Sequence, residues 1–214
     1  MGVHVQRIWP DSTVACVATG PSLTREDCNY LRGKCRVIAI NDAHKWVPWA
    51  DVLYSSDRRW WNHYKGVPEF QGMRFGIGSG IGKKNPAGGK WTGVKILRNT
   101  GYLGLDMAPD AIRNGRNSGY AAVNLAVKFG ASKVLLLGYN MGYIKGRAHF
   151  FGSHPPGLPQ SASLYPGFRK NFEHMVKPLA ELGVEVVNCT PETSLMCFPI
   201  KALRDALPDT AVAA

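Results

Sequence analysis

Apolar positions along the chain fall into short dense runs and longer stretches of helical period, with turn residues between them. The run Thr13 to Ala18 is apolar almost throughout and stops at Gly20-Pro21-Ser22, which reads as a buried strand entering a tight turn. Cys35 to Asn41, Asp51 to Ser56, Lys133 to Gly138 and Val184 to Asn188 have the same character, and Val94 to Arg98 adds a further strand. Helical spacing appears in 25–32, 58–64, 117–129 and 167–182, with a small helix within 201–207. In the third helix Ala121, Ala122, Leu125, Ala126 and Phe129 share a face, and Gly130 ends it. In the fourth, Phe168, Phe172, Met175, Leu179 and Leu182 do so, with a kink expected at Pro178.

This alternation predicts an α/β fold: a Rossmann-like, mostly parallel sheet with helices on both faces, in a single domain over 1–214. Two stretches interrupt it. Residues 66–110 read as an irregular basic insertion, and 144–166 as a long loop of the kind that carries function.

Composition narrows the picture. A hydrophobic share of 45% and a charged share of 19% are globular values. No run reaches the ~20 apolar residues of a membrane span, and the first residues carry neither a signal-peptide core nor a myristoylation pattern. A cytoplasmic protein with five reduced cysteines is therefore expected. The net charge of +11 favours phosphorylated ligands or polyanions. From Arg58 to Leu105 there are nine Lys or Arg and one acid, Glu69. Arg58, Arg59, Lys83, Lys84 and Lys90, interleaved with Trp60, Trp61 and Trp91, are the candidate nucleic-acid contacts; the plainer reading is a solvated basic surface.

Candidate chemistry gathers at strand ends and helix starts. Gly20, Pro21 and Ser22 make a strand–turn–helix corner, with Thr24 and Asp27 spaced as a capping box, and such a corner suits an anion. The usual G-x-G-x-x-G is absent, and Gly82-Lys83-Lys84 departs from the P-loop pattern. Asn41 and Asp42 end the second strand about 20 residues after that turn, where such folds hold a ribose, unless they simply cap the next turn. Ser55 and Asp57 end the third strand, and Asp57 caps the helix after it. Asn117, Ser118 and Gly119 form a small-residue helix start, either a second nucleotide contact or an ordinary cap. His149 and His154 lie in the long loop and are candidates for proton transfer. No D-x-D motif calls for a metal.

Taken in order, Gly20-Pro21-Ser22-Leu23, Asn41-Asp42, Asn117-Ser118-Gly119, Gly138-Tyr139-Asn140 and the loop His149 to His154 resemble the single-domain, Rossmann-like bacterial sialyltransferases. The wider group sharing that fold includes phage-encoded members labelled norphogenetic proteins. The resemblance implies a glycosyltransferase-like enzyme with a CMP-type nucleotide sugar as donor substrate and no required cofactor. It implies that Gly20 to Leu23 and Asn117 to Gly119 hold the CMP moiety, joined by Asn41, with Asp42 in place of an amide. It puts Tyr139 and Tyr143 on the leaving phosphate, with Asn140 in place of an aspartate, and makes His154 the base in a loop one residue longer than the family's. DNA or a phage component would be the acceptor, in the host cytoplasm. Two alternatives stand beside it: a non-catalytic nucleotide- or nucleic-acid-binding module, and a pterin-type pyrophosphokinase using ATP and Mg²⁺.

Overall fold

Period-two alternation along each strand sends apolar side chains to opposite faces of one sheet, and both faces are covered. The computed structural model describes residues 3–81, 91–153, 158 and 162–209. Strands β1 (Thr13–Val17), β2 (Arg36–Ile40), β3 (Val52–Ser55), β4 (Met73–Ile81), β5 (Val94–Asn99), β6 (Ala111–Ile112), β7 (Lys133–Leu137) and β8 (Glu185–Asn188) form a single sheet in the order β6-β5-β4-β3-β2-β1-β7-β8. Every pairing between these strands is parallel. The helices are α1 (Arg25–Tyr30), α2 (Arg58–His63), α3 (Ser118–Phe129), α4 (Tyr165–Glu181) and α5 (Leu203–Ala206).

Val14, Cys16, Ile38, Tyr54, Val134 and Leu136 face α3 and α4, packing on Leu125, Phe129, Phe172 and Met175. Ala15, Val17, Val37, Leu53, Leu135 and Leu137 face α1, α2 and α5, packing on Cys28, Leu31, Trp60 and Leu203. α3 is buried nearly all round, which its Ala-rich composition permits. Thr24 caps α1, its hydroxyl oxygen accepting from the Asp27 amide at 3.0 Å while donating to the Asp27 carboxylate at 2.6 Å. α4 starts at Tyr165 with a proline in its first turn, and runs through Pro178 to Glu181. Leu182, expected on its apolar face, follows the last turn and is half exposed.

The stretch expected to be irregular builds half of one wing. β4 and β5 fall within 66–110, β6 follows directly after it, and together they extend the sheet beyond β3. Glycine at alternate positions hides the strand pattern of β4, and at Gly76 the packing explains it. A Cβ there would stand 3.0 Å from both Trp61 Nε1 and Ile96 Cδ1. Lys83, Lys84 and Lys90 lie outside the described residues.

The chain passes from β1 outward to β6, and α3 then carries it back to β7 on the other side of β1. The strand order reverses between β1 and β7, and in open α/β sheets ligands bind outside the carboxyl ends at such a point. The turns after these two strands meet directly: the Gly20 amide donates to the Gly138 carbonyl at 2.9 Å. A Cβ on Gly20 would lie 2.0 Å from Asn140 Oδ1 and 2.3 Å from the Gly138 oxygen. Asn140 is buried and locks the join, donating to Ser22 Oγ at 2.8 Å and to the Glu192 carbonyl at 2.5 Å while accepting from the Ser22 amide at 3.3 Å.

All five cysteines are free, and burial pushes the Cys28, Cys35 and Cys189 thiols up to about 12, as expected of inert core thiols. Among the described residues no helix is long and apolar enough to cross a membrane.

Gly20→Ala is expected to lower stability by about 3 kcal/mol, because rigid backbone is what the new methyl meets. Gly33→Ala, at φ +77° with nothing within 4 Å, costs only about 1 kcal/mol for its backbone conformation. Urea denaturation of the two variants measures the difference.

Candidate active site at the carboxyl edge of the sheet

Two cavities open beside the β1/β7 join. One, about 100 Å³, is lined by Thr19 and Gly20 after β1, Asn41 after β2, Asn117 to Gly119 at the start of α3, Gly138 to Met141 after β7, and Ala148, His149 and Tyr165. The other, about 390 Å³, lies toward β3 and is lined by Asn41, Ser56, Asp57, Arg59, Trp60, Arg116, Asn117, Ser118, His149, Leu158, Leu164, Tyr165 and Phe168. Only the second falls in the range of about 300–1,000 Å³ usual for small-molecule sites. Asn41, Asn117, Ser118, His149 and Tyr165 line both.

The backbone around these cavities is unusual. Asn41 (φ 52°), Arg116 (φ 59°) and Met141 (φ 50°) are non-glycine residues in the left-handed region. Such strain costs of the order of 1 kcal/mol each and persists where the surroundings enforce it. The strain at Asn41 is held by His44, whose Nδ1–H donates to the Asn41 carbonyl at 2.8 Å. Asn41 Oδ1 is buried and has no hydrogen-bond partner among the described residues. At Arg116 the amide donates to Asn114 Oδ1 at 2.7 Å, and the guanidinium lies 5.7 Å from the Tyr102 ring centre. Arg59, the second cation on the larger cavity, is paired with Asp57 at 3.4 Å.

At α3 the Asn117 side chain accepts from the Gly119 and Tyr120 amides at 2.8 and 3.2 Å. Two first-turn donors are therefore used by the helix's own cap. Ser118 Oγ accepts from the Ser56 amide at 3.0 Å and ties α3 to the end of β3. Gly119 is required by its neighbour, since a Cβ there would lie 2.7 Å from the Tyr139 ring.

His149 is set at the junction of the cavities. Its Nδ1 is hydrogen-bonded to Thr19 Oγ1 at 2.9 Å, and its ring stacks on Phe151 at 5.0 Å with an 8° interplanar angle. His154, the expected base, lies outside the described residues.

Several expected roles change. Tyr139 is buried and its hydroxyl donates to the Gly119 carbonyl at 3.0 Å, so that hydroxyl is not available to a phosphate. The Asn140 carboxamide is consumed by the join, and Pro21 and Ser22 line neither cavity. Ser55 is fully buried and accepts from the Asp57 amide at 3.1 Å; its neighbour Ser56 takes the cavity position. Asp57 caps α2 by accepting from the Arg59 amide at 2.8 Å, and also lines the larger cavity. Tyr143 is 45% exposed and lines neither cavity, its ring standing edge-on to Tyr165 at 6.0 Å. Arg58 is exposed and lines neither cavity. Trp60, Trp61 and Trp91 are buried in the core below α2, so they offer no faces to nucleic-acid bases.

Asp42, expected to hold a ribose or to cap a turn, is engaged within the protein. Its carboxylate is buried and accepts from Trp60 Nε1 at 2.9 Å and the Tyr64 hydroxyl at 2.5 Å, with Lys45 Nζ at 2.6 Å. Burial opposes its ionisation, but the hydrogen bonds from Lys45, Tyr64 and Trp60 together outweigh that and hold the carboxyl below its ordinary value. Three cavity residues that sequence reasoning passed over are Arg116, Tyr165 and Phe168. The signal for Arg116 was its place immediately before the Asn117 cap.

Because the folded value of Asp42 is lowered, its contribution is complete above about pH 4 and is lost as pH falls through the folded value. Asp42→Asn should flatten that acid limb of stability. Asp42→Ala should cost about 1–3 kcal/mol at neutral pH, since the buried Trp60 N–H loses its acceptor. Denaturation midpoints measured across pH 2–7 check both. Comparison with protein-family models, curated proteins and solved structures finds no match for this chain.

Proposed function

We propose that the chain is a transferase acting on a nucleotide-activated sugar, with the nucleotide in the larger cavity and His149 as the base. One observation carries the reading. A histidine fixed through Nδ1 stands where a cavity of ligand size, lined by Arg59, Arg116 and Asp57, opens beside the switch point. Arg59 and Arg116 suit the phosphates, where charge-assisted hydrogen bonds are strong. Tyr165, Leu164 and Phe168 supply an apolar wall.

In this reaction the acceptor hydroxyl gives its proton to Nε2 of His149, and its oxygen bonds the anomeric carbon. The bond from that carbon to the phosphate oxygen breaks, and the electron pair leaves on the nucleotide. A CMP-type donor remains the first candidate through the order of motifs around Gly20, Asn41 and Ser118. A nucleotide-binding module without turnover is the second reading. It is favoured by the engagement of Tyr139 and Asn140 in internal hydrogen bonds, which removes the groups expected on a leaving phosphate.

A thermal-shift panel of CMP, CDP, UDP, GDP, ATP and a short single-stranded DNA tests the reading, since a ligand of the native state raises Tm. One nucleotide should raise Tm at moderate salt, and Arg116→Ala should weaken it about tenfold or more. His149→Ala should abolish release of nucleotide from the sugar donor while keeping affinity. Affinity with no release from the wild type selects the binding module. A response to DNA alone, collapsing with salt, overturns the nucleotide site.

A further inference from the structure

Thr19 holds the loop that carries His149 twice. Its carbonyl accepts from the Phe150 amide at 2.9 Å, and its side-chain oxygen meets His149 Nδ1 at 2.9 Å across 130 residues of sequence. The first bond secures the backbone of the loop. Phe150 secures it again, stacking on Trp46 at 3.8 Å between ring centres. The Phe151 ring, nearly parallel to the imidazole, fixes its plane. With loop and plane already held, what the Thr19 side chain adds is a choice between the two ring nitrogens. Thr19 is only 7% exposed, so its oxygen makes this choice with little competition from solvent.

We propose that Thr19 is a positioning residue that sets the tautomer of His149: Thr19 Oγ1 accepts the Nδ1 proton, which leaves the lone pair on Nε2. This rests on the reading of His149 as the base, for a base needs that lone pair. A hydroxyl can accept as well as donate, so the geometry is compatible with the role, and a serine preserves it where a valine does not.

The test is nitrogen NMR of the whole protein labelled at histidine, above the titration of the ring. The wild type should show His149 protonated at Nδ1, and Thr19→Ser should retain that pattern. Thr19→Val, nearly the same shape but without an acceptor, should move the population to the Nε2–H form with the Tm little changed. Thr19→Ala serves the same purpose if the valine variant fails to fold. A wild-type ring protonated at Nε2, or a tautomer unchanged on loss of the Thr19 oxygen, overturns the proposal. These outcomes do not depend on any nucleotide binding, so they are separate from failure of the transferase reading. Where a donor is turned over, Thr19→Val should lower kcat by about 10²-fold at constant KM, and Thr19→Ser should restore it.

Discussion

The carboxyl edge of this sheet is built from one close approach, between the turns after β1 and β7. Two glycines allow it: Gly20 has no room for a methyl beside Asn140 and Gly138, and Gly138 sits at φ +70° with its own Cβ position 2.8 Å from the Ala18 carbonyl. Once the backbones touch, the groups around them are committed. Asn140 spans to Ser22 and Glu192, the Tyr139 amide donates to Thr190 Oγ1 at 2.9 Å, and the Tyr139 hydroxyl reaches the first turn of α3. The crevice at the switch point is thereby filled largely by the protein's own hydrogen bonds. The ligand-sized space is displaced sideways, over β2 and β3, with α3 and the start of α4 as its walls.

That displacement reorganises the polar residues into two groups. One group makes the frame: Ser22, Asp42, Ser55, Tyr139 and Asn140 are all engaged internally. The other lines the larger cavity: Asn41, Asp57, Arg59, Arg116 and His149. The basic character of the chain divides similarly. Arg74 donates to the Gly66 and Val67 carbonyls, Arg98 pairs with Asp110, and Lys45 pairs with Asp42, so these three cations are engaged within the fold. Arg59 and Arg116 line the larger cavity, Arg59 paired there with Asp57.

Much of this was legible in the sequence. Dense apolar runs ending in Gly20, Asn41, Asp57 and Gly138 marked four strand ends that do meet at one edge, and the helix expected over 117–129 with its stop at Gly130 matches α3, with Asn117 rather than Ser118 as the cap. What escaped notice has physical reasons. Glycines on alternate positions of β4 erased the hydrophobic signal on which strand recognition depends, although the chain closes tightly on Gly76. Asp42 read as a ribose contact or a turn cap from its place at a strand end, and only the tertiary arrangement brings Trp60, Tyr64 and Lys45 around it. Three tryptophans in a basic stretch suggested stacking surfaces, but their bulk serves the core beneath α2. Side-chain direction at a strand end depends on which neighbour arrives from elsewhere in the chain, as Ser55 and Ser56 illustrate.

The central claim is that a nucleotide occupies the cavity beside the β1/β7 join. Amide chemical-shift mapping on titration with CMP tests it most directly, because each amide reports its own surroundings. The account predicts the greatest shifts at Asn41, Ser56, Asp57, Arg116 to Gly119 and His149, with Gly20 and Tyr139 moving less. No shifts with any nucleotide, or shifts confined to the opposite, amino edge around Arg32 to Arg36, would contradict it.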